Sequence, residues 1–166
     1  PSTPSAPIVD AVTQPGCVIT TGSATLSGLP TSNCTGTATP GGATITGSTS
    51  NATFSGLAAN TTYTFTVTLQ SSGCTSAASS NAVIGPAPTV PPVPTAYVSA
   101  HPTCFVGTGS ITILSPIGSN YEYAVDGGTY TASNTITGVA TGTHTVTVRL
   151  VSSPDCVSDP SGTLTV

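Results

Sequence analysis

From Thr62 to Gln70 the chain alternates strictly: Tyr63, Phe65, Val67 and Leu69 are separated by Thr64, Thr66 and Thr68. A period of two puts alternate side chains on opposite faces, so this segment predicts a half-buried β-strand with a threonine outer stripe. Shorter runs of the same kind predict strands at Ile8–Val12, Ser23–Leu29, Thr35–Thr39, Ala43–Gly47, Ala52–Ser55, Tyr63–Gln70 and Ala82–Ile84. Turn residues separate them at Pro40-Gly41-Gly42, Leu57 to Asn60 and Ser71-Ser72-Gly73. Short strands spaced by turns, with no helical periodicity, predict a β-sandwich.

The pattern then repeats. Gln14-Pro15-Gly16-Cys17 returns as His101-Pro102-Thr103-Cys104, and Thr21-Gly22-Ser23 returns as Thr108-Gly109-Ser110. The Tyr63–Leu69 run returns as His144, Val146, Val148 and Leu150. The second series predicts strands at Thr95–Ala100, Ser110–Leu114, Tyr121–Val125, Gly128–Ala132, Thr135–Gly138, Thr143–Val151 and Gly162–Val166. Asp126-Gly127 signals a hairpin. The domain division is therefore a Pro-rich linker at 1–7, a first domain at 8–84, a Pro-rich linker at 85–94 and a second domain at 95–166. Gly85 to Pro94 is dense in proline and predicts a semi-rigid, extended spacer. The opening Pro1-to-Pro7 segment looks like the tail of another spacer, which suggests an array. With Pro1 in place of Met, a processed product or an excerpt of a longer protein is expected.

Composition narrows the functions. The chain has 166 residues, and only 4% are charged. Arg149 is its one cationic side chain. Nucleic-acid binding, which needs a basic footprint, is disfavoured, and so is attraction to anionic membranes. No apolar run approaches the roughly 18 residues of a bilayer span. No partner among nucleic acids and no membrane insertion is expected. Low charge leaves strand edges without their usual protection, so glycans, linkers or neighbouring copies are expected to cover them.

Five cysteines are present: Cys17, Cys34, Cys74, Cys104 and Cys156. Repeat alignment matches Cys17 with Cys104 and Cys74 with Cys156. The reading that follows is one bridge per domain, Cys17–Cys74 and Cys104–Cys156. Each would be worth about 4 kcal/mol in the chain-entropy model and would imply an oxidising compartment. Cys34 has no counterpart; it is either a buried free thiol or half of an intermolecular bond. No Cys-x-x-Cys pair supports a metal site, and no cofactor is expected.

The acids Asp10, Glu122, Asp126, Asp155 and Asp159 are spread over turns and both domains, which argues against a glycosidase carboxylate pair. Asp155 and Asp159 alone fall short of a calcium site, which takes roughly 6–8 oxygen ligands. His101 aligns with Gln14 in a loop, and His144 stands where the first domain has Tyr63, as a partly buried structural residue. No Gly-x-Ser-x-Gly elbow supports a serine nucleophile. Asn33, Asn51 and Asn60 lie in Asn-x-Thr sequons and are candidate glycosylation sites. Tyr121, Tyr123 and Tyr130 are candidate contact aromatics, with a core role the favoured reading.

The segment Gly56-Leu57 to Tyr63-Thr64-Phe65-Thr66-Val67 resembles the tyrosine corner of fibronectin type III domains. The chain as a whole is similar to Thr/Ser-rich tandem repeats of large secreted surface proteins of the Bacteroidota. Gln14-Pro15-Gly16-Cys17, Thr21 to Leu29, Ser72 to Ala77 and Tyr123 to Gly128 carry that resemblance. It implies tandem Ig-like/fibronectin III-like sandwiches, surface export and adhesion. There is no Trp, which departs from many Ig and fibronectin domains. The expected function is a non-catalytic structural repeat of an extracellular filament or surface adhesin stalk. Its expected partners are copies of itself, neighbouring repeats and glycans. The alternative is a carbohydrate-binding or spacer module of a secreted glycan-degrading enzyme.

Overall fold

The computed structural model describes residues 2–166, which form two compact units that divide between Ala87 and Pro88. No helix occurs among the described residues.

The first unit contains β1 (Ile8–Thr13), β2 (Gly22–Ser27), β3 (Cys34–Thr39), β4 (Thr44–Gly47), β5 (Ala52–Leu57), β6 (Thr61–Leu69) and β7 (Ala82–Ile84). They pair into a sheet ordered β1-β2-β5 and a sheet ordered β4-β3-β6-β7. Ala24, Leu26, Phe54 and Leu57 of the first sheet meet Ala38, Tyr63, Phe65, Ala82 and Ile84 of the second in one buried core. Phe54 and Phe65 lie with ring centroids 4.8 Å apart, within the range of favourable aromatic pairs. The alternation in β6 thus has the predicted phase: Tyr63, Phe65 and Val67 are buried and the threonines are not.

The second unit contains β8 (Thr95–Ala100), β9 (Gly109–Ser115), β10 (Tyr121–Val125), β11 (Thr135–Val139), β12 (Thr143–His144), β13 (Val146–Leu150) and β14 (Leu164–Thr165). The pairings are β11-β9-β8, β10-β13 and β12-β14. Ile111, Ile113, Tyr123, Val139, Val146 and Val148 form its buried core.

Two predicted strands of this unit change form. Thr143–Val151 is interrupted at Thr145 and becomes β12 and β13. Gly128–Ala132 is no strand and keeps a single bridge, Tyr123 to Thr131. The hairpin turn itself forms: Asp126 and Gly127 both have positive φ, 51° and 69°, and Gly128 N–H donates to Val125 O at 2.9 Å. Unbroken pairing from that turn would set Tyr130 opposite Tyr123, in the core. One extra residue sets Thr131 there instead, and a one-residue slip turns Tyr130 to the other face.

Both units close one strand edge with serines. Val67 and Ser76 exchange two bonds, Val67 N–H to Ser76 Oγ at 2.9 Å and Ser76 N–H to Val67 O at 2.8 Å. Phe65 and Ser79 do the same at 3.0 and 2.8 Å. The second unit repeats the device between Val148 and Ser158 and between Val146 and Ser161. The segment advances three residues for every two of the strand, so side-chain oxygens accept bonds that a regular strand's carbonyls would take. An uncharged edge is thereby satisfied from within the unit.

Each unit has the same polarity. In the first, Ile8 at the start of β1 pairs with Ser27, while Ile84 at the end of β7 pairs with Thr61 at the start of β6. The first strand therefore begins at one end of the sandwich, the proximal end, and the last strand finishes at the opposite, distal end. In the second unit Thr95 of β8 pairs with Ser115 at the proximal end, and Val166 exchanges bonds with Gly142 at the distal end.

Candidate functional site: the two ends of each module

The cysteines occupy the ends. Cys17 lies in the β1–β2 loop and Cys104 in the β8–β9 loop, both distal. The loops share one turn: Gly16 N–H donates to Ile19 O at 2.7 Å, and Thr103 N–H donates to Val106 O at 2.7 Å. Each turn presents its cysteine at the tip beside exposed apolar residues, Val18 and Ile19 in one, Phe105 and Val106 in the other. Phe105 is 98% exposed. Cys74 and Cys156 follow β6 and β13 and lie proximally. Leu69 N–H donates to Cys74 O at 3.0 Å, and Leu150 N–H donates to Cys156 O at 3.1 Å.

This placement corrects the expected bridges. Cys17 and Cys74 are separated by the length of β6, nine residues or about 30 Å, against a Cα separation under about 7 Å for a disulfide. Cys104 and Cys156 are likewise at opposite ends of the second unit. Neither Cys17–Cys74 nor Cys104–Cys156 forms. Cys17 and Cys156 are the disulfide-bonded cysteines, while Cys34, Cys74 and Cys104 are free thiols. Cys34 is 5% exposed and its thiol points to Gly47 O and Pro30 O at 3.5 and 3.7 Å, a buried free thiol at the start of β3.

The three sequon asparagines, Asn33, Asn51 and Asn60, are all exposed, and Asn60 takes a left-handed turn conformation with φ 56°. A transferase could reach each of them.

The tyrosines separate. Tyr123 is 1% exposed; its hydroxyl donates to Pro116 O at 3.1 Å, and burial pushes its phenol above the ordinary value. It is a core residue and not a contact aromatic. Tyr121 packs partly buried against the same core. Tyr130 bonds Thr147 Oγ1 at 2.9 Å, and the Arg149 guanidinium sits 4.2 Å from its ring centroid. Arg149 also pairs with Glu122 at 2.7 Å. The chain's one Arg is thus held between a carboxylate and an aromatic face, leaving no planar aromatic platform among these three residues.

The tyrosine corner forms in the first unit, where Ala58 N–H donates to Tyr63 Oη at 3.0 Å. His144 makes the equivalent corner in the second. Its Nε2 lies 3.0 Å from Ala140 O and its Nδ1 lies 2.6 Å from Asp126 Oδ2. Both partners accept only, so the imidazolium, with two N–H groups, suits the corner best. The Asp126 hydrogen bond accordingly holds His144 above its usual pKa. The Thr145 N–H, at 2.8 Å, and then His144 hold Asp126 below the usual carboxylate range.

The remaining acids do not converge. Asp10 accepts from Ser27 Oγ at 2.9 Å, and Asp155 and Asp159 are exposed around Cys156. Among the described residues no group of three metal-ligating side chains occurs. A cleft in the first unit, lined by Leu26, Leu29, Ile45, Phe54, Thr46 and Asn51, brings no acid–base pair together.

No family model and no curated protein matches the chain. Among solved structures, the ligand-binding domain of human OSCAR is similar at 15% identity, with a TM-score of 0.42, covering 99% of this chain and 100% of that one. The FN1–FN3 domains of chicken CNTN1 are similar at 15% identity, with a TM-score of 0.47, covering 99% of this chain and 68% of that one. The fold class is all-β and Ig-like/fibronectin III-like, with the first unit a three-stranded sheet facing a four-stranded one.

Proposed function

We propose that this chain is a non-catalytic structural repeat of an extracellular filament or surface adhesin stalk. The observation that carries the reading is the shared polarity of the units. Each begins at its proximal end and finishes at its distal end, the polarity a building block needs if the next repeat is to attach at the end opposite the previous one. The serine-closed edges and charge-poor surfaces suit a building block that is not an enzyme, and the disulfide suits an oxidising exterior. Its partners are other copies of itself, with glycans at Asn33, Asn51 and Asn60 as surface cover. The carbohydrate-module alternative has less support, because Tyr123 is in the core and Tyr130 is covered by Arg149.

Negative-stain microscopy of native material is the test. Long regular fibres or stalks are expected; isolated particles at all concentrations would sink the reading.

A further inference from the structure

Apart from Cys34, which is buried at the start of β3, each unit has one cysteine at its distal end and one at its proximal end, too far apart to bond to each other. The two that are disulfide-bonded, Cys17 and Cys156, are one of each kind: a distal cysteine and a proximal cysteine. Of the free thiols Cys34 is buried, and the two accessible ones, Cys104 and Cys74, are again one of each kind. Each free thiol has a counterpart in the other repeat that is already oxidised: Cys104 matches Cys17 in the same four-residue turn, and Cys74 matches Cys156 at the same place after the long strand.

We propose that Cys104 of one copy of this chain forms an intermolecular disulfide with Cys74 of the next, so that copies are joined covalently, distal end to proximal end. Cys104 is exposed at a turn tip, and Cys74 is partly exposed just after the turn that ends β6. Phe105, projecting into solvent beside Cys104, supplies an apolar surface for the receiving end to cover. The oxidant is a low-molecular-weight disulfide. The thiolate of one cysteine attacks it, forming a mixed disulfide and releasing one small thiol. The thiolate of the other then attacks the protein sulfur and releases the second small thiol. The two protein thiols lose two protons and two electrons, and the cleaved oxidant takes them up.

The inference rests on the reading of the chain as a repeat of a linear array, but it fails separately. If microscopy shows arrays whose mass analysis contains no Cys74–Cys104 link, the covalent joint is wrong and the array stands.

The test incubates the purified full chain with oxidised glutathione and resolves it without reductant. A ladder at multiples of the chain mass is expected, collapsing on reduction. Peptic peptides should contain Cys104 joined to Cys74; trypsin is unsuitable with Arg149 as the one basic site. Cys74→Ser alone and Cys104→Ser alone should each abolish the ladder. Mixing those two variants should give a dimer and nothing longer. Cys34→Ser should leave the ladder unchanged, and Phe105→Ser should slow its growth several-fold with the monomer melting temperature retained. Homotypic Cys104–Cys104 links, a ladder in either single variant, or only glutathione adducts would overturn the proposal.

Discussion

His144 and Asp126 show how one substitution between repeats alters the chemistry of a corner. In the first unit Tyr63 serves through a neutral hydroxyl; in the second His144 serves best when charged. His144 is held above its usual pKa, so its contribution is fully present below the unfolded value and is lost as pH rises through the folded one. Asp126 is held below the usual range, so its contribution is present above the unfolded carboxylate value and lost as pH falls through the folded one. The second unit should therefore be most stable in mildly acidic solution, between those two titrations. NMR titration of the His144 ring should show its pKa falling in Asp126→Asn, and the melting temperature of that variant should lose its decline on the alkaline side. An identical His144 titration in both proteins would refute the coupling. The buried serines make a second residue-scale prediction. Ser161→Ala leaves the Val146 N–H without its partner and should cost about 1–3 kcal/mol in denaturant unfolding. An unchanged midpoint would count against the serine brace.

At the scale of elements, close approach explains why both copies keep a glycine between threonine and serine. A Cβ on Gly109 would lie 2.5 Å from both Ala100 O and Val166 Cγ1; on Gly22 it would meet Thr13 O at 2.7 Å. Because the obstacle is backbone, Gly109→Ala should destabilise by about 1–3 kcal/mol, measured as a shift in the urea midpoint with unchanged slope. A neutral result would mean that β8 can move away from β9. The elements also separate what could be read beforehand from what could not. The phase of β6 was legible because Tyr63, Phe65 and Val67 all need burial and the intervening threonines do not. The Asp126-Gly127 turn was legible because positive φ selects those residues. The loss of the Gly128–Ala132 strand was not, since it depends on Tyr130 finding Arg149 and Thr147, which are remote in sequence. The serine brace had a usable signal that alternation alone missed: Cys74-x-Ser76-x-x-Ser79 returns as Cys156-x-Ser158-x-x-Ser161.

Over each whole module, the cysteines teach the sharpest lesson. Repeat alignment identified equivalent positions correctly as equivalents, but equivalence says nothing about who bonds to whom. The count of strands does. From Cys17 to Cys74 the chain crosses the sandwich along β2, β3, β4, β5 and β6, an odd number, so the two must finish at opposite ends. That parity was already present in the predicted strands of both units. The location of Phe105 at the distal tip had no comparable signal, since an apolar residue in a loop reads equally well as a buried anchor.

The proximal-to-distal run of each unit has a mechanical consequence. Tension applied through the chain enters at the start of β1 and leaves at the end of β7. Hydrogen bonds between antiparallel strands lie across the strand direction. A pull along the strands therefore stresses the whole β1–β2 ladder together, in shear, and no single bond can yield first as in a peeled hairpin. Nearly neutral sandwiches with small cores could in this geometry resist stretching far better than their equilibrium stability suggests.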